Sequence, residues 1–217
     1  MAERLALLGD VHANHPALRA VLDAIASAGI TRGLCTGDLV MRGRQPEACV
    51  SELRRLGWPC VMGNTDRKTA LRPSRPPDHP KARRVGSRPW TSNHLSKQSL
   101  RYLAELPMVA RLTFGRLSVV VMHGSATDPR DAWDATTPDD DLARLAREQG
   151  ADCIVSGHTH LPLVREAGGC LFVNPGSVGE ALNGDRHPRW AWLERTRSGL
   201  RAHLEEVPRD LATVRVT

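Results

Sequence analysis

An α/β fold around a parallel sheet is the class this sequence predicts, and three observations predict it. Leu5–Leu8, Gly33–Asp38 and Pro59–Asn64 are short segments that open apolar, as strands buried in a sheet require. Amphipathic helical patterns separate them. The order strand–helix–strand–helix–strand is complete by residue 64, which is the signature of crossover helices on a parallel sheet.

Each further element follows from its residues. Pro16 suits the first turn of a helix. Leu18, Val21, Leu22 and Ile25 then recur at i, i+3, i+4 and i+7, and Gly29 ends the pattern. Pro46 to Leu56 repeats it with Val50, Leu53 and Leu56, and Gly57 stops it. Residues 65–94 break the rhythm with Pro73, Pro76, Pro77, Pro80 and Pro89 among Arg and Lys side chains. The stretch reads as a long, partly irregular excursion, not a domain boundary. Ser96–Leu106 is predicted helical, with Leu100, Leu103 and Leu106 on one face. Val109–Thr113 and Leu117–Met122 flank Phe114-Gly115-Arg116 as a hairpin. Asp139–Gln149 reads as a helix and Cys153–Ser156 as a strand. Gly168-Gly169 separates strands at Leu163–Glu166 and Cys170–Val173. Trp190–Leu193 and Leu200–Leu204 close the chain as antiparallel strands. The two halves are each expected to supply one layer of a two-sheet sandwich.

The 217 residues fit one domain, 1–217, with the Pro/Arg-rich excursion at about 66–94. Hydrophobic residues are 41% and charged residues 25%, which excludes wholesale disorder, collagen and coiled coil. No apolar run approaches the roughly 18 residues of a membrane span. The run at Leu5–Leu8 is too short and too soon charged for a signal peptide, so the expected location is the cytoplasm. The net charge is +6, and only three of the 30 basic residues are Lys. That balance permits an anionic substrate without establishing one. Five cysteines, with no Cys-x-x-Cys, fit reduced and mostly buried thiols. Walker A, Gly-x-Gly-x-x-Gly and Gly-x-Ser-x-Gly patterns are absent, so NTPase, Rossmann oxidoreductase and serine hydrolase readings gain no support.

The chemistry concentrates at strand ends. Asp10-Val11-His12, Gly37-Asp38, Gly63-Asn64, His123-Gly124 and Gly157-His158-Thr159-His160 each follow a predicted strand. Ligands of parallel sheets bind outside those carboxyl ends, so the five signatures converge on one edge. Singly, three have ordinary alternatives: Asp10 could cap a helix, Asp38 a turn, and His123 could be a hydrogen-bonded core histidine, whereas the pair His158 and His160 after a buried strand has no obvious packing purpose. Together, Asp10, His12, Asp38, Asn64, His123, His158 and His160 form a nitrogen and oxygen set without thiolate, which suits Mn²⁺, Fe or Zn²⁺. The set is too large for one tetrahedral ion and sufficient for two that share a carboxylate. A Gly before most of these ligands is expected to let the backbone turn sharply.

In this order the signatures resemble the calcineurin-like metallophosphoesterase superfamily, and Asn174-Pro175-Gly176-Ser177-Val178-Gly179 resembles its small prokaryotic phosphodiesterase branch. The likeness runs from about residue 4 to about residue 195. It implies a four-layer αββα sandwich of two mixed sheets flanked by helices. It implies Asp10, His12, Asp38 and His160 around one ion. Asp38, Asn64, His123 and His158 would surround the other, with Asp38 bridging. It further implies a metal-activated hydroxide and a phosphate contact from Asn64. The catalytic set is then Asp10, His12, Asp38, Asn64 and His123. The cofactors are two divalent transition ions, Mn²⁺ foremost, with Fe, Zn²⁺, Co²⁺ and Ni²⁺ open to the same donors.

One departure matters. Most of the superfamily reads Gly-Asn-His at the third signature, where this chain has Gly63-Asn64-Thr65. Thr65 cannot protonate a leaving group, a contribution typically worth 10²–10⁴-fold. Diesters with good leaving groups are therefore expected over alkyl monoesters, with His12 as a substitute acid and second substrate contact. The substrate class is a phosphodiester or pyrophosphate bond in a nucleotide or nucleic acid. The excursion could contact its phosphates, though a solvated loop is the plainer expectation. Trp133 or Trp90 could offer a base a stacking face, while Trp58, Trp190 and Trp192 pack. A homodimer is possible and no membrane partner is expected. The alternatives are a metal-binding scaffold on the same fold and a protein serine/threonine phosphatase.

Overall fold

The computed structural model describes residues 3–72, 74–180, 187–197 and 199–208. In chain order the first half contains β1 (Arg4–Leu8), α1 (His15–Ser27), β2 (Gly33–Cys35), α2 (Pro46–Leu56) and α3 (Asn64–Leu71). Then come α4 (Pro80–Arg83), α5 (Arg88–Asn93) and α6 (Lys97–Glu105). The second half contains β3 (Val109–Phe114), β4 (Leu117–Met122), α7 (Asp139–Gln149), β5 (Cys153–Val155), β6 (Leu163–Ala167) and β7 (Cys170–Asn174). It ends with β8 (Arg189–Thr196) and β9 (Gly199–Glu206).

Local signals set most boundaries. Asn14 accepts from the Ala17 N–H at the start of α1, and Pro16 sits in its first turn. Gly57 and Gly150 take left-handed φ values of 65° and 57° and close α2 and α7. Ser96 caps α6 by accepting from the Ser99 N–H.

Two sheets result. One has the order β2-β1-β8-β9, with β2 parallel and β8 antiparallel to β1. The other has the order β3-β4-β5-β7-β6, with a parallel centre and antiparallel edges. Period-2 alternation sends the side chains of each strand to two different cores. Leu5 and Leu7 meet Val119, Val121, Val155 and Val173 between the sheets. Ala6 and Leu8 face the helices with Leu18, Val21, Val50, Leu53 and Leu103. Val120, Met122, Ile154 and Phe172 face Leu142 and Ala146 of α7. Three cores separate four layers, αββα, as the resemblance implied. All five cysteines are free and buried. Among the described residues no helix is long and apolar enough to cross a membrane.

Three expectations are corrected. The third strand is reduced to one parallel bridge, Cys35 with Cys60, because the chain turns at Gly63 directly into α3. The excursion is largely helical. Pro80 and Pro89 occupy first-turn positions, where a missing N–H costs nothing, and His79 and Ser87 cap those turns. Finally, the halves do not each own a sheet, since β8 and β9 return to pair with β1.

Candidate metal centre

The carboxyl ends of β1, β2, β4 and β5 meet where the two sheets open. Asp10 and His12 follow β1, Asp38 follows β2, His123 follows β4, and His158 and His160 follow β5. Asn64 begins α3. Two triads of buried donors arise: Asp10, His12 and His160, and Asp10, Asp38 and His123.

Their separations suit coordination. His12 Nε2 lies 3.0 Å from His160 Nε2, and His160 Nε2 lies 3.2 Å from Asp10 Oδ1. Asp38 presents Oδ2 to His12 Nε2 at 3.7 Å and Oδ1 to His123 Nε2 at 3.5 Å. Donors around one ion with bonds of about 2.1 Å stand about 3.0 Å apart at right angles and about 3.4 Å apart at the tetrahedral angle. Asp10 Oδ1 and His123 Nε2 are buried without a hydrogen-bond partner. Buried polar atoms are rarely left so, and converging orphans of this kind fit a cation.

The tautomer of His123 is fixed by chemistry. Its Nδ1 lies 2.8 Å from the Thr36 carbonyl, which can only accept, so Nδ1 donates and Nε2 faces Asp38. Burial works against charge on this ring, but Asp38 and Asp10 outweigh it and hold the imidazole above its ordinary value. Burial is the dominant influence on His12 and pushes it down to about 4 despite Asp38 and Asp10. His158 is likewise lowered by burial and then by His123. Burial pushes Asp10 up, but the close approach of His160, and then His123 and His12, outweigh it and keep its carboxyl below the ordinary range.

His158 and Asn64 flank the triads. His158 is half-buried, packs edge-on against His123 at 5.2 Å, and donates its N–H to Asp10 Oδ2 at 3.1 Å. Asn64 is buried between Gly63 and Thr65, both of which touch Asp38.

The glycines act differently from expectation. Among those preceding a candidate ligand, only Gly37 has a positive φ; Asp10, His12, Asp38, His158 and His160 themselves carry values of 49° to 70°. Gly9, Gly63 and Gly157 are there for space. A Cβ at Gly63 would lie 2.1 Å from Asp38 Oδ1, and one at Gly157 would lie 2.6 Å from Asp10 Oδ2.

Thr65 does not face the donors. Its N–H donates to Asp38 Oδ1 at 2.8 Å, and its hydroxyl donates to the Val40 carbonyl at 2.9 Å. Burial disfavours the charged form of His12, the other group expected to supply a proton. Trp133 is buried edge-on against Phe172 at 5.3 Å, so it offers no stacking face. The face of Trp90 is stacked on His94 at 3.9 Å.

Several residues escaped the sequence reading. Asp66 accepts from the Leu39 and Gly63 N–H groups, and burial and then Asp38 raise it to about 7. Its signal was the capping spacing Gly63-x-x-Asp66. Glu180 Oε2 lies 3.9 Å from His12 Nε2 and pairs with Arg42. Asn174 donates to the Gly157 carbonyl at 2.8 Å, and Ser177 donates to the Asp10 carbonyl at 2.9 Å. The Asn174–Gly179 signature is therefore a strap across the loops that carry Asp10 and His158.

The profile of the calcineurin-like phosphoesterase superfamily domain matches residues 4–196. An uncharacterised protein of Methanocaldococcus jannaschii is 29% identical over 197 residues, 83% of this chain and 78% of that one. The crystal structure of a metallophosphoesterase from Sphaerobacter thermophilus superposes with a TM-score of 0.76 at 28% identity, covering 98% of each chain. The vacuolar protein sorting-associated protein 29 of Schizosaccharomyces pombe is 34% identical over 89 residues, 41% of this chain and 44% of that protein. With a profile match that runs from β1 to the end of β8, the chain belongs to the calcineurin-like phosphoesterase superfamily.

Proposed function

We propose that this protein is a metal-dependent phosphodiesterase. The observation that carries the reading is the pair of buried triads sharing Asp10, with orphaned donor atoms aimed into common space. Asp10, His12, Asp38, Asn64, His123, His158 and His160 would hold two divalent ions. Such ions supply Lewis acidity to a phosphoryl group and a nucleophile at neutral pH. Mn²⁺ is the first ion to add back, given mixed nitrogen and oxygen donors.

The chain's own groups divide the remaining work. Thr36 orients His123, and the Thr65 N–H orients Asp38. Asn64 offers an amide to a phosphate oxygen at the mouth of the site. Neither residue expected at the acid position is poised to protonate a leaving group: the Thr65 hydroxyl is bonded to Val40, and burial disfavours charge on His12. Esters whose leaving groups depart unaided are therefore favoured, and alkyl monoesters lose roughly 10²–10⁴-fold.

The test is hydrolysis of an aryl diester, an aryl monoester and an alkyl monoester by metal-stripped protein with Mn²⁺ returned. Diester cleavage should return with the metal, disappear in Asp38→Ala, and exceed alkyl monoester cleavage. Equal or faster alkyl monoester turnover contradicts the diester preference. A scaffold is the second reading, motivated by the likeness to a sorting protein. Metal binding without cleavage of any ester would favour it.

A further inference from the structure

Two cavities flank the donor cluster. One of about 510 Å³ adjoins His12, Arg42, Gly179 and Glu180. The other, of about 380 Å³, adjoins Asn64 and is lined by Arg67, Lys68, Arg72, Asp128 and Arg130. We propose that this second groove receives a further phosphate of the substrate, so that the preferred diesters carry a phosphate beyond the scissile one. The assignment rests on the phosphodiesterase reading above.

The groove is built from the site outward. One wall is α3, which begins at Asn64. Asn64, Arg67, Lys68 and Leu71 stand at i, i+3, i+4 and i+7, so they share one face of that helix. The other face, with Thr65, Asp66 and Thr69, is buried. At 1.5 Å rise per residue, Arg67 and Lys68 lie about 4.5 and 6 Å along the helix axis from Asn64. The opposite wall is the loop that follows His123. It folds back so tightly that a Cβ on Gly124 would lie 2.1 Å from the Asp131 carbonyl oxygen and 2.9 Å from that of Asp128. Both walls thus extend from candidate ligand segments, and their shared end is the reaction site.

The charges call for an anion. Asp128, the acid among the lining residues, is engaged by Arg130, whose Nε and terminal nitrogen donate to it at 3.0 Å and 2.6 Å. Asp128 also feels Arg67 at longer range. Among the described residues Arg67, Lys68 and Arg72 have no ion-pair partner, and Arg67 and Arg72 are exposed. Guanidinium forks match phosphate oxygens, and the volume is within the range of small-molecule sites. The remaining basic side chains of the 66–94 excursion do not line the groove.

Two chromogenic esters test this with Mn²⁺-loaded enzyme: the p-nitrophenyl ester of thymidine 5′-phosphate, and the same ester bearing a 3′-phosphate. The bond cleaved is identical, so the ratio of their kcat/KM values isolates the remote phosphate. The ratio should favour the 3′-phosphorylated ester by about tenfold or more, carried by KM. In Arg67→Ala/Arg72→Ala it should fall towards one, while Arg101→Ala, at an exposed position of α6, keeps the wild-type ratio. Calorimetric binding of thymidine 3′,5′-bisphosphate against thymidine 5′-phosphate should show the same preference without turnover. Cleavage of both esters at equal efficiency, or a ratio unmoved by the double substitution, overturns the groove assignment alone. Cleavage of neither ester overturns the phosphodiesterase reading and the assignment with it.

Discussion

Asp10, His12, Asp38, His158 and His160 all adopt left-handed φ angles, a conformation that costs a non-glycine residue of order 1–3 kcal/mol, less for Asp and His. Five such residues at one sheet edge mean that the surrounding structure forces them there. The Asn174–Gly179 strap and the backbone bonds from the Asp10 N–H to the Gly37 carbonyl and from the His12 N–H to the Asp38 carbonyl are among the restraints. Gly63 is the tightest of the supporting positions at Asp38. Gly63→Ala should displace Asp38, cost about 1–3 kcal/mol by overpacking, and weaken metal uptake. A variant with wild-type melting temperature and metal affinity would show that the close approach is unimportant. At this scale the sequence was informative about the donors, because polar side chains at the ends of apolar strands have no packing role. It offered only a capping spacing for Asp66 and was misleading on Trp133. Asp66 works by accepting backbone N–H groups brought in from Leu39, and Trp133 packs on Phe172 from another strand. The Leu39 bond and the Phe172 contact both join distant parts of the chain, which local spacing does not encode.

A polar clamp joins two of the helices that pack on the first sheet. Glu47, in the first turn of α2, accepts from the Ser96 N–H at 2.8 Å, the Ser96 hydroxyl at 3.0 Å and the Ser99 hydroxyl at 2.8 Å. It thereby clamps the start of α6 to α2. Burial opposes its charge, but these donors win and hold it below its ordinary value. Its contribution is therefore full above the ordinary glutamate value of 4.5 and is lost as pH falls through the lower folded value. Glu47→Gln should lower stability by about 1 kcal/mol near neutral pH, a figure reduced for partial solvation. Denaturant titrations of both proteins should converge as the pH is lowered below 4.5. A constant gap down to strong acid would contradict the clamp. The helices α1, α2, α6 and α7 were legible because their periodicity and stop signals are local. The excursion was not, since its prolines are as compatible with helix starts as with irregular chain.

Over the whole molecule, the central core is closed by pairings that no local pattern announces. Leu7 pairs with Leu34 on one side and with Ala191, far along the chain, on the other. It is fully buried between the sheets. Leu7→Ala should cost roughly 2–5 kcal/mol and lower the melting temperature accordingly. A loss below 1 kcal/mol would mean that the sheets repack freely about this position. The alternation of strands and helices was readable, and so was the edge at which the polar signatures meet. The return of β8 to β1 was not, because sheet order depends on tertiary pairing that periodicity does not encode. The same architecture places both donor triads where the sheets part, and the central claim is that they hold divalent metal. Calorimetric titration of metal-stripped protein with Mn²⁺, beside Asp38→Asn, tests it most directly. The wild type should take up about two ions per chain. Protons should be released on binding, since Asp38 and Asp10, against the pull of burial, hold His123 above its ordinary value. Asp38→Asn should bind fewer ions or bind them far more weakly. No uptake by the wild type, or identical uptake by both proteins, would contradict the account.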